Sequence, residues 1–127
     1  HVVEAGGSAR EGAAAAMRLL ADGHLPTAII AHNDRVARGM IDVLWRNHVG
    51  IPRDISVVGF DNITEAAMPH MDITTIEQRP EDLAGAIVDL LLHRIGGEPA
   101  AGLHLMAPGP LIVRSSSGPP PLRAAAV

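Results

Sequence analysis

"ISVVGFDNITEAA", residues 55–67, decides the fold. Its apolar, mostly β-branched start, Ile55, Val57 and Val58, stops at Gly59-Phe60 and delivers two polar groups, Asp61 and Asn62. A short run of this kind bounded by turn residues reads as a strand buried on both faces, the habit of parallel sheets. Asp61 and Asn62 then stand at the carboxyl end of a strand, the edge where open α/β sheets hold ligands. The neighbouring elements bear on whether Asp61 is a binding group or a turn residue.

Upstream, "TAIIA" (27–31) is a second buried strand that ends in His32-Asn33-Asp34. The helix after it turns Val36, Ala37, Met40, Ile41 and Leu44 inward and Arg35, Arg38, Asp42 and Arg46 outward. It stops between Asn47 and Gly50, ahead of Pro52, and Asp34 suits its N-cap. Earlier still, Val2-Val3 reads as a short strand. Ser8 and Glu11 form a capping box for a helix with Ala13, Ala16, Met17 and Leu20 on one face, ended by Gly23.

Downstream, residues 61–72 form a loop with one helical turn at 64–68, and "ITTIEQ" (73–78) is a fourth strand. Pro80, with Glu81 and Asp82 behind it, opens a helix through Arg94 that Gly96-Gly97 ends. Its apolar stripe is Leu83, Ile87, Leu90 and Leu91. Short strands follow at 103–106 and 111–114, separated by Pro108-Gly109-Pro110, and "SSSGPPPLRAAAV" has the composition of a fraying linker. Strand and helix alternate with short connections, which predicts an α/β fold built on a right-handed parallel sheet with three main helices and four to six strands.

With 127 residues the chain can bury one real core, yet it falls short of a two-lobed architecture. There is no Cys, which excludes disulfides and thiolate chemistry. A net charge of -4 and the lack of a basic cluster argue against a nucleic-acid footprint in this chain. The most apolar run, "AIVDLLLHRI", is interrupted by Asp89, His93 and Arg94, so a soluble protein without membrane partners is expected. The seven His residues lack metal-site spacing, and no metal or cofactor is expected.

Five ordered stretches, "PTAIIAHNDRVARGMIDVL", "VGIPRDISVVGFDNI", "ITTIEQRPEDLAGAIVDLLL", "GGEP" and "LIVRSSSGPP", span residues 26–120 and together resemble the LacI/GalR family of bacterial transcription regulators. The resemblance implies a core shaped like a periplasmic sugar-binding protein: two α/β lobes, an effector in the cleft, and a helix-turn-helix at the amino end that this chain lacks. It implies that the chain is the carboxyl-terminal part of that core. Residues 1–79 would be the effector-binding lobe, 80–96 a helix of the other lobe, 97–115 a return segment with the closing strand, and 116–127 a flexible tail. The partners implied are a small polar effector, a sugar or sugar-like molecule, and a second copy of the chain in a dimer, with DNA bound only through the missing domain. A cytoplasmic location follows from the same resemblance.

Position alone leaves the polar pairs after the strands open as turn or cap residues or as ligand groups. The resemblance places Asn33 and Asp61 at effector-contacting positions and Gln78 at the lobe crossing near the ligand. The chemistry suits this, since a carboxylate accepts from neighbouring hydroxyls while an amide both donates and accepts. His32 replaces a usually smaller residue and joins the candidates, while Gly7 stands near where relatives carry an aromatic that stacks on a sugar ring. Met40, Val43, Met68 and Met71 are the candidate dimer contacts, and Trp45 is a core or subunit-contact residue. Two other functions share these residues: a secreted solute-binding protein, and an enzyme using Asp61 and His32 as an acid/base pair, though no nucleophile elbow or phosphate loop accompanies them.

Overall fold

The computed structural model describes residues 1–23, 25–97 and 109–121. In chain order the elements are α1 (Ala9–Ala21), β1 (Ala28–Ile30), α2 (Asp34–Arg46), β2 (Ser56–Val58), a 3-10 turn (Thr64–Ala67), β3 (Thr75–Ile76), α3 (Pro80–Ile95) and β4 (Leu111–Ile112). The expected strand at 103–106 lies outside the described residues, as do 122–127 of the expected tail.

β2 is the central strand. β1 pairs with it in parallel, Ala28 opposite Ser56 and Ile30 opposite Val58. On its other edge Val58 bridges Thr74 and Asp61 bridges Glu77, both in parallel, so β3 extends the same layer. β4 then runs antiparallel to β3, with Thr75 opposite Ile112. The carboxyl ends of β1, β2 and β3 therefore open on one edge, which is the arrangement a parallel α/β layer offers to a ligand.

α1 and α2 form the core against one side of this layer. The inward stripe of α2, Val36, Ala37, Met40, Ile41 and Leu44, is buried as its spacing predicts, against Ile55, Val57 and Ile73. Covering a Leu or Ile side chain fully stabilises the fold by roughly 1.5–3 kcal/mol. Asn47 ends the helix, its Nδ2 donating to Val43 O at 2.8 Å, and His48 takes a positive φ of 60° to turn the chain.

α1 opens with the predicted capping box: Ser8 N donates to Glu11 Oε2 at 2.9 Å and Glu11 N to Ser8 Oγ at 3.3 Å. Its buried face overlaps the expected one, with Ala16 buried and Ala13 and Leu20 half-buried against the core, and departs from it at Met17. Gly12, Ala15, Ala16 and Leu19 are buried, while Met17 is 61% exposed. The reason is the closeness of the two helices, since a Cβ on Gly39 of α2 would lie 1.8 Å from Ala9 O. Backbones packed this tightly meet along small residues, so Gly12, Ala15 and Ala16 lead the seam, with Leu19 the one bulky side chain buried on α1.

Three further expectations change. Val2-Val3 forms no strand, and Val2 is 92% exposed. β1 is not buried on both faces: Ile29 and Ala31 turn toward the helices, but Ile30 is 83% exposed because no described helix covers the opposite face. The hydroxyl run after β4, expected to begin a fraying tail, is stitched into the sheet. Ser116 is buried, accepts from Thr74 N at 2.8 Å and donates to Val57 O at 2.6 Å, and Ser56 exchanges two hydrogen bonds with Gly118.

α3 begins at Pro80 as predicted and runs to Ile95, and no residue on it is buried. Leu83 and Leu90 of the expected stripe are half-buried, whereas Ile87 and Leu91 are exposed. No described helix is long and apolar enough to cross a membrane.

Candidate functional site

The site is built at the carboxyl ends of the strands. β1 delivers His32 and Asn33, β2 delivers Asp61 and Asn62, and Gln78 follows β3. Backbone hydrogen bonds join these ends: Asp61 N donates to Ile76 O at 2.9 Å, and Asp34 N donates to Phe60 O at 2.9 Å.

Asp61 and Gln78 are brought together, Gln78 Nε2 donating to Asp61 Oδ1 at 3.0 Å. Asp61 is half-buried at a positive φ of 112°, a conformation that side-chain-bearing residues seldom adopt. Burial and then the neighbouring Asp34 carboxylate push its carboxyl above the usual carboxylate range, while His32 and Arg35 pull the other way. A partly desolvated carboxylate with one oxygen held by an amide and the other free of protein donors among the described residues is a competent acceptor for ligand hydroxyls.

The cap expected of Asp34 is made by its neighbour. Asn33, not Asp34, is the N-cap of α2: its Oδ1 accepts from Val36 N at 2.8 Å, and its Nδ2 donates to Gly7 O at 3.1 Å. Such a cap stabilises a helix by typically ~1 kcal/mol, and the amide retains one hydrogen and one lone pair for a ligand. Asp34 is the first residue of α2 and is 1% exposed, accepting from Ile63 N at 2.9 Å and from the Thr75 hydroxyl at 2.6 Å. Both residues are polar and adjacent, so either suits a cap by sequence, and the destination of Asp34 in the sheet decides between them.

His32 is exposed beside this group and makes no hydrogen bond to Asp61 among the described residues. A concavity of about 910 Å³ along the outer edge of β1 reaches His32 but not Asp61, and its walls include Val3, Leu19, Leu25 and Ile30. Asn62, at φ 56°, is committed to the frame: its Nδ2 donates to Glu77 Oε1 at 3.0 Å and its Oδ1 accepts from Arg114 Nη2 at 2.8 Å. Arg114 also donates to Ile73 O at 2.7 Å, tying β4 to the loop before β3. Sequence reasoning missed Arg114, Glu77 and Thr75; the one available signal was the position of Arg114 inside "LIVRSSSG".

The candidate dimer contacts separate. Met40, Val43 and Met71 are 4%, 5% and 7% exposed within their own chain and belong to its core. Met68 is 39% exposed and Trp45 41%, which leaves these two with surface to offer. Among the described residues no group of His, Asp and Glu is arranged to hold a metal ion.

Asp61 and Gln78, with Asn33, stand at the strand ends of a parallel α/β layer, the architecture of a periplasmic-binding-protein-like unit. Residues 1–117 match the periplasmic binding protein-like domain family. The chain is 34% identical over 118 residues to the HTH-type transcriptional repressor MelR of Bacillus subtilis, covering 93% of this chain and 34% of MelR. A solved LacI transcriptional regulator from a Rhodococcus species superposes with a TM-score of 0.82 at 40% identity, over 94% of this chain and 44% of that one. A LacI family regulator from Lactobacillus casei, solved with bound sucrose, gives a TM-score of 0.69 at 30% identity, over 87% of this chain and 41% of that one. This chain belongs to the periplasmic-binding-protein-like domain of the LacI family of regulators. It spans about a third of the length of the curated relatives it matches.

Proposed function

We propose that this chain senses a small polar effector, a sugar or sugar-like molecule, for a cytoplasmic transcription regulator that works as a homodimer. Asp61 accepts from effector hydroxyls, Gln78 holds it in place, and Asn33 and His32 supply further hydrogen bonds from the end of β1. Effector binding favours one of two arrangements of the lobes, and the differential affinity shifts a pre-existing equilibrium. The shift changes operator affinity through an amino-terminal helix-turn-helix outside this chain. No bond is made or broken.

The observation that carries this reading is the environment of Asp61: a carboxylate held at positive φ, raised in pKa by burial, and presented at the strand ends with one oxygen already fixed by Gln78. The sucrose in the Lactobacillus casei relative supports the sugar class. The test is operator binding by the intact protein with and without a panel of neutral sugars that includes sucrose. A saturable change in DNA affinity with one of them is expected, and no change with any of them overturns the proposal.

A further inference from the structure

We propose that Asp34 is a positioning residue for Asp61, holding the turn from which Asp61 faces the crevice. This rests on the reading of Asp61 as a ligand group. Asp61 and Asn62 both take positive φ, 112° and 56°, and two such residues in succession persist only where the surroundings over-determine them. Asp34 brackets them. Its own N–H donates to Phe60 O at 2.9 Å on one side of the pair, and its Oδ2 accepts from Ile63 N at 2.9 Å on the other.

The bracket is itself anchored. Asp34 Oδ1 accepts from the Thr75 hydroxyl at 2.6 Å, and Thr75 is fully buried in β3. The same Thr75 oxygen takes a long contact of 3.4 Å from Asn62 N. Gly59 leaves the room needed, since a Cβ there would lie 2.0 Å from Asp34 Oδ1. One buried carboxylate thus joins the start of α2, the turn after β2, and β3, the three elements that meet at Asp61. Its charge also acts on Asp61 directly, against the pull of His32 and Arg35. Gln78, bonded to Asp61, is uncharged, and Glu77, opposite Asp61 in the sheet, has its carboxylate engaged by Asn62 Nδ2 and Arg79 Nε.

The experiment reads Asp61 with no sugar present, so its outcome is separate from the ligand assignment. In the unaltered full chain, nuclear magnetic resonance should detect scalar coupling across the hydrogen bond between the Ile63 amide nitrogen and the Asp34 carboxyl carbon. Asp34→Asn should lower the titration midpoint of Asp61, because a neighbouring negative charge is gone. Asp34→Ala should speed exchange of the Ile63 amide by about tenfold or more, while amides inside α1 keep their protection. A residue that merely supported the fold would, on replacement, speed exchange in α1 together with the Ile63 amide. Absence of the coupling overturns the proposal whether or not the variants fold, and so does an unchanged Asp61 midpoint in folded Asp34→Asn. Failure of the ligand reading looks different: sugar affinity indifferent to Asp61→Asn, with coupling and midpoint as expected.

Discussion

Gln78 Nε2 donates to Asp61 Oδ1 at 3.0 Å, joining the turn after β2 to the point where the chain leaves β3 for α3. The bond links the acceptor carboxylate to the segment that leads directly into a helix with no buried residue. Asp61 is therefore one side chain removed from the segment that leads into α3.

Asp61→Asn should stabilise the folded chain at neutral pH. The folded-state pKa of Asp61 is raised, first by burial and then by Asp34, so the folded chain binds a proton at a pH where the unfolded chain has released it. Stability from this group is therefore gained as pH falls through the raised value, and at neutral pH the ionised form carries a penalty. Asn has no charge to desolvate and still accepts from Gln78. Melting temperatures at pH 7 should be higher for the variant, and the difference should shrink below the ordinary carboxylate range. A lower melting temperature at pH 7 contradicts the assignment of the penalty.

Gly39→Ala should cost about 1–3 kcal/mol or more, because its new Cβ would fall 1.8 Å from Ala9 O and the helices must move apart. Chemical denaturation checks it. The loss should be accompanied by a change in the environment of Ala15 and Leu19, which lie in the same seam.

Ser116→Ala should destabilise by about 1–3 kcal/mol for each partner left unpaired, since Thr74 N–H loses its acceptor and Val57 O loses a donor in the buried sheet. A variant as stable as the unaltered chain would mean that the Ser116 hydroxyl is dispensable to the sheet, as the composition of "SSSGPPPLRAAAV" suggested.

Much of this organisation is visible in local pattern. The run Ile55 to Val58 ending in Gly59 specifies a strand and its turn, the stripe Val36 to Leu44 specifies α2, and Ser8 with Glu11 specifies a cap, because each depends on residues close in sequence. What escapes is set at long range. The seam of α1 follows Gly12 and Ala15 because another backbone lies against them, and small residues carry little hydrophobic signal. Asn33 caps α2 because Asp34 is drawn to Ile63 and Thr75, partners 29 and 41 residues away. Arg114 reaches Asn62 across 52 residues, and Ser116 reaches Val57 across 59, neither of which a local window contains. Of the ligand candidates, Asp61 and Gln78 meet directly, while Asn33 is shared with a structural cap and His32 stands beside them.

Whether Asp61 is a ligand group is read by calorimetric titration of neutral sugars, sucrose among them, into the intact protein and its Asp61→Asn variant. Loss of a charge-assisted hydrogen bond should weaken binding by roughly 1.5–3 kcal/mol, about ten- to a hundredfold, with the variant as stable as the parent or more so. Binding of equal strength in the folded variant, or no sugar binding to the parent at all, would contradict the account.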